Sequence, residues 1–61
     1  MKSPTPEEIR KARKAAGMTQ EEAAEIIYIK MNSWMRYETS KSNMHPGLFE
    51  LFLLKTGQKK L

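Results

Sequence analysis

The chain has 61 residues, with 11 Lys and Arg against 7 carboxylates, all of them Glu, and a net charge of +4. That length is a single domain, residues 1–61, because half of it could not bury a core; 39% hydrophobic and 30% charged residues is a globular composition. Without cysteine there are no disulfides or thiolate metal sites, a single His and no Asp leave no material for a catalytic or metal-binding cluster, and no apolar run approaches the ~20 residues of a membrane span.

A non-enzymatic, cytoplasmic binding protein is therefore expected, with no cofactor, no metal and no membrane partner. A domain of this size buries only about 60% of the surface of its unfolded chain, so association with a second copy is the stabilising device left to it. The basic balance favours an anionic partner.

The first helix has a clear start. Thr5 is the N-cap, Pro6 the first helical residue, and Glu8, three after the cap, completes a capping box. Ile9, Ala12 and Ala16 form a narrow apolar stripe, Arg10, Lys11 and Lys14 read as a solvated basic face, and Gly17 ends the helix in a left-handed cap. The same grammar repeats at Thr19 and Glu22 over residues 20–27, where Ala23 and Ala24 allow close approach of a neighbour and Ile26 and Ile27 supply inward bulk. Tyr28, Ile29 and Lys30 interrupt the pattern.

A third helix over residues 31–38 puts Trp34 and Tyr37 on one face, as core anchors beside Ile29, and Asn32, Ser33 and Arg36 on the other. Residues 39–43 are polar and form a loop; Met35 and Met44 read as packing or edge residues, and His45 as a loop or helix-start residue. Pro46 opens a last helix over residues 46–55 that carries too many apolar positions for one stripe. Leu48, Leu51 and Phe52 suit the domain's own core, which leaves Phe49 and Leu53 for a dimer interface. Gly57 caps this helix, and residues 1–4 and 57–61 read as loose ends.

The expected fold is thus a small all-α domain of four helices, with room for a short extra turn, in which the second and third helices form a helix-turn-helix. Such a unit reads DNA when the back of its second helix is anchored and its front carries short polar groups that enter the major groove. Asn32 suits adenine, Arg36 suits guanine or phosphate, Ser33 suits either, and the start of the second helix, at Gln20, offers amides to a phosphate.

The run Gly17-Met-Thr-Gln-Glu-Glu-Ala-Ala-Glu25 and the segment Trp34-Met-Arg-Tyr-Glu38 resemble the helix-turn-helix of the XRE/Cro/phage-repressor family, over about residues 9–54. Together with Ser3-Pro-Thr-Pro6, Ile9-Arg10 and the segment Glu50-Leu-x-Leu-Leu-Lys55, they look most like the small anti-CRISPR-associated (Aca) repressors. That resemblance implies a lambda-repressor-like fold and a homodimeric autorepressor binding an inverted repeat in double-stranded DNA; a chain this short has little room for a ligand pocket, so no small-molecule effector is expected. The resemblance assigns Gln20 to a phosphate contact, Lys30, Met31, Asn32, Ser33 and Arg36 to the groove-facing surface, Lys41 and Asn43 to phosphates, and Arg13 with Glu38 to a structural ion pair. Three positions depart from the pattern. Tyr28 stands where Gly is usual, at a left-handed cost of order 1 kcal/mol, which would remodel the turn. Lys30 replaces an N-capping Ser or Thr, and Met31 replaces a polar reader, where it suits a thymine methyl. The competing readings are an antitoxin of a toxin–antitoxin pair and a protein-interaction adaptor that docks through Phe49 and Leu53.

Overall fold

The computed structural model describes residues 2–60. It contains four helices, α1 (Pro6–Ala15), α2 (Gln20–Ile26), α3 (Met31–Glu38) and α4 (Pro46–Lys55), and no strand among the described residues. None of these helices is long and apolar enough to cross a membrane.

Both capping boxes form. Thr5 Oγ1 accepts from the Glu8 amide at 3.1 Å while Glu8 Oε1 accepts from the Thr5 amide at 2.8 Å, and Thr19 and Glu22 repeat the exchange at 3.1 and 2.9 Å. Each box occupies amides that a helix start leaves without partners, and each cap contributes about 1 kcal/mol. Lys30, at the head of α3, makes no side-chain cap. At the head of α4 the imidazole Nδ1 of His45 accepts from the Gly47 amide at 2.9 Å, the helix-start role expected of it.

All four helices stop by one device, a left-handed residue just past the C-cap: Gly17 (φ 68°), Tyr28 (φ 63°), Ser40 (φ 64°) and Gly57 (φ 74°). After α1, α2 and α4 the amides of that residue and the next fold back onto the last turn; Tyr28 reaches the Glu25 carbonyl at 3.1 Å and Ile29 the Ala24 carbonyl at 3.0 Å. The turn between α2 and α3 is therefore not remodelled. Tyr28 simply accepts the conformation that Gly takes elsewhere, and carries its ring 79% exposed.

The core is Ile9 and Ala12 from α1, Ala23, Ala24 and Ile27 from α2, Trp34 from α3, Met44 from the loop and Phe52 from α4. Trp34 and Phe52 are fully buried, with ring centroids 5.0 Å apart at a 54° tilt. Burying two such rings removes ~150–250 Å² each, on the order of 4–6 kcal/mol apiece as an upper bound. Ala23 and Ala24 let α2 lie close against α3, as their size implied. Ile26 and Tyr37 are only half-buried, on the flank of this core.

The expectation of a loose tail is corrected at its first two positions past Gly57. The amides of Gln58 and Lys59 bond the Leu53 carbonyl at 2.8 and 3.2 Å, and Gln58 Nε2 reaches back to the Ala12 carbonyl of α1 at 3.0 Å. The C-terminal turn is thereby tied to α1, 46 residues away in sequence. Met1 and Leu61 lie outside the described residues.

Candidate nucleic-acid interface

The back of α3 is held by a polar knot around one carboxylate. Glu38 is 5% exposed. Arg13 of α1 donates to it twice, Nε to Oε2 at 2.7 Å and Nη2 to Oε1 at 3.3 Å, and spends a further N–H on the Met18 carbonyl at 3.1 Å. The indole Nε1 of Trp34, one turn earlier in α3, also donates to Oε2. Gln20 Nε2, from α2, reaches Oε1 at 3.4 Å, and Arg10 approaches from the exposed side at 3.6 Å. One anion thus ties α1, α2 and α3 together. Burial by itself would raise this carboxyl; the hydrogen bonds from Arg13 and Trp34, the charge of Arg13 and the Gln20 amide outweigh it, and hold the group below the ordinary Glu value of 4.5.

The Arg13–Glu38 pair expected from the sequence is present. Trp34, four residues before Glu38 on the same helix, was the one additional partner that spacing could have found; Arg10 and Gln20 lie on other helices, and no spacing rule links them to Glu38. Gln20, expected at a phosphate, is half-buried at the start of α2 with its amide directed at Glu38, and the capping box occupies the Glu22 amide beside it.

The front of α3 is a different surface. Met31, Asn32, Met35 and Arg36 are exposed and Ser33 is half-buried, with Lys30 exposed just upstream and Lys41 and Asn43 exposed in the following loop. Asn32, Met35, Arg36, Thr39 and Lys41 line one shallow depression, so the helix and the loop present a continuous face. Between residues 30 and 45 there are three cations, Lys30, Arg36 and Lys41, and one carboxylate, the buried Glu38. The face is therefore positive with no exposed carboxylate of its own.

Arg36 is fastened at both ends. Its carbonyl accepts from the Lys41 and Ser42 amides at 3.0 and 3.3 Å, and its Nε donates to Ser42 Oγ at 3.1 Å. That arrangement leaves the two terminal nitrogens of the guanidinium free to form a fork toward a ligand. Ser42 was read only as loop, and no sequence signal marks it. Met35, expected as a packing or edge residue, stands exposed; its place four after the groove-facing Met31 was the available signal for the outward face.

The expected exposure of Phe49 and Leu53 is corrected. Both are half-buried and pack against the domain's own core, since α4 turns the arc centred on Phe52 inward and they fall on its edge. Together with Pro4 and Thr5 they border a groove beneath the N-terminal segment. Leu51, expected in the core, is half-buried and packs against it in the same way, and with Leu54 it borders a second open groove beside His45 and Pro46. Beside it, Lys55 Nζ donates to the Tyr28 hydroxyl at 2.7 Å and sits 4.1 Å from the ring centroid, joining α4 to the turn before α3. The chain matches no protein-family model, and a search among curated proteins finds no match to it.

Proposed function

We propose that the chain is a sequence-specific double-stranded DNA-binding repressor that acts in the cytoplasm as a homodimer on an inverted repeat, and regulates its own operon. The observation that carries this reading is the outward face of α3: cationic, free of exposed carboxylates, furnished with an amide and a guanidinium, and mounted on a helix whose back is locked by Trp34 and Glu38. A phosphate-lined groove demands that charge balance, and base edges demand donors held in fixed directions. The likeness of the Gly17–Glu25 and Trp34–Glu38 segments to XRE/Cro-type and Aca repressors points the same way.

In this mechanism Lys30, Lys41, Ser33 and Asn43 contact phosphates and set the register. Asn32 pairs with adenine N6 and N7, and Arg36, oriented by Ser42, forks onto guanine O6 and N7. Dimerisation through α4, with the half-buried Phe49 and Leu53 at the seam, sets two copies of α3 about 34 Å apart or a multiple of it. Effector control has no obvious seat in a domain of this size, so dimer concentration sets occupancy.

Fluorescence anisotropy at near-physiological salt tests the reading, with duplex DNA from upstream of the chain's own gene against a scrambled duplex. The upstream duplex should bind at least about 1000-fold tighter, and Arg36→Ala should lose about 1–3 kcal/mol on that duplex while barely changing the scrambled one. Equal and weak binding of both duplexes by the wild type would count against it.

A further inference from the structure

Among the described residues three large apolar side chains stand exposed, Tyr28, Met31 and Met35. Tyr28 is engaged by Lys55. Met31 and Met35 are 43% and 39% exposed, and neither packs against the core. They sit four residues apart on α3, one above the other on its outward face, next to the parallel pair Asn32 and Arg36.

Two thioethers are an odd choice for a face that carries Lys30, Arg36 and Lys41. Those cations surround them, and the nearest carboxylate in sequence, Glu38, is buried and paired. An apolar partner protein has no use for that ring of cations. A bare polyanion has no use for the methionines. The ligand that satisfies both is a polyanion with apolar groups set into a groove, and in duplex DNA the apolar group of the major groove is the 5-methyl of thymine.

We propose that Met31 and Met35 act together as readers of thymine methyl groups, so that specificity rests on an apolar pair beside the polar pair Asn32 and Arg36. This rests on the DNA-binding reading above and extends it from the single contact expected of Met31 to a second determinant, Met35. Side chains four apart on a helix have Cβ atoms about 5–6 Å apart, which spans neighbouring base pairs stacked at ~3.4 Å. Methionine is unbranched and adaptable, so it follows a methyl on either strand. Each half-site is therefore expected to hold two thymines close to the adenine and guanine read by Asn32 and Arg36.

The test removes the methyl and nothing else. A duplex enriched by the wild-type protein from a randomised pool is resynthesised with deoxyuridine for each thymidine of one half-site, and both duplexes are titrated by anisotropy against wild type, Met35→Ala and the double variant Met31→Ala/Met35→Ala. Wild type should bind the deoxyuridine duplex about 4-fold more weakly for each methyl read, roughly 15-fold for two, from the ~0.8 kcal/mol of one buried methyl-sized group. Met35→Ala should keep part of that sensitivity, and the double variant should bind the two duplexes alike while still preferring either to a scrambled one. Wild-type binding that ignores the methyls, with the enriched duplex still preferred over scrambled, overturns this proposal and leaves the DNA-binding reading standing. Equal methyl sensitivity in wild type and double variant overturns it as well, because the methyls then act through DNA shape. A pool that yields no preferred duplex overturns both.

Discussion

The two faces of α3 are built from opposite principles. On the inner face Trp34 and Glu38 are buried and every polar group is spoken for, with Arg13, Trp34 and Gln20 converging on one carboxylate. On the outer face of the same eight-residue helix, Met31, Asn32, Met35 and Arg36 stand exposed, and the only side-chain tie among them runs from Arg36 to Ser42. The lesson is a division of labour within eight residues: the inner face fixes where the helix sits, at the cost of desolvating an ion pair, and the outer face keeps its hydrogen-bonding capacity for a ligand. If that division holds, substitutions inside should unfold the domain and substitutions outside should leave its stability alone while changing what it binds.

The largest effect should follow from Glu38→Gln. Removing one partner of a buried pair costs about 3–5 kcal/mol, because Arg13 is left as an uncompensated charge, and a domain of ~60 residues has roughly that much stability in total. The variant should be largely unfolded at 25 °C by circular dichroism, with Trp34 emission shifted toward that of an exposed indole. Cooperative melting within a few degrees of wild type would show that the knot is ornamental.

Acid should act on the same carboxylate more gently. Glu38 is held below 4.5 in the folded protein, by hydrogen bonds from Arg13 and Trp34 that outweigh its burial. A depressed folded value means that the unfolded chain takes up the proton first, so the stabilisation is complete above the unfolded value and is lost as pH falls through the folded one. Urea midpoints should stay level from pH 7 to about 5 and fall below 4.5. A midpoint that rises on acidification would reverse the assigned sign.

Much of the inner face was legible in the sequence and much of the outer surface was not. Capping boxes, a Pro at the first helical position and a Gly past the last are local rules that placed α1, α2 and α4 to within a residue or so, while α3, which has none of them, followed from the spacing of Trp34 and Tyr37. Trp34 as anchor followed from helical period alone. What failed was anything decided by which arc of a helix meets which neighbour. The sequence of α4 is apolar on nearly every side, so periodicity had no power to divide it into an inner and an outer stripe; packing of Phe52 on Trp34 turns one arc inward and leaves Phe49, Leu51 and Leu53 half-buried around it. The tie from Gln58 to Ala12 and the tie from Arg36 to Ser42 depend on where a chain end and a loop come to rest, which no spacing rule encodes.

Lys41→Ala should separate positioning from reading on the outer face. An exposed lysine on a loop contributes charge to a phosphate without regard to base, so its loss should weaken specific and scrambled duplexes by the same factor and lower the slope of log K against log salt by about 0.9. Folding should be unchanged, since Lys41 contributes its backbone amide, not its side chain, to the end of α3. A loss confined to the specific duplex would make Lys41 a reader and blur the division between helix and loop.

The smallest effects concern the helix ends that frame α3. Tyr28 and Ser40 occupy, at φ 63° and 64°, the left-handed position that Gly17 and Gly57 hold after α1 and α4. An L-residue there costs about 1–2 kcal/mol, and glycine returns part of the gain through the greater freedom of its unfolded chain, so Ser40→Gly should stabilise by about 0.5–1 kcal/mol, a rise in Tm of roughly 4 °C. Tyr28→Gly relieves the same strain but also gives up the hydroxyl and ring that Lys55 holds. Its Tm should therefore rise by less than that of Ser40→Gly, and the shortfall should vanish when both are measured in a Lys55→Ala background. If Tyr28→Gly gains as much as Ser40→Gly with Lys55 in place, the contact between α4 and the turn adds nothing, and the strain at Tyr28 is retained for something the folded monomer does not need.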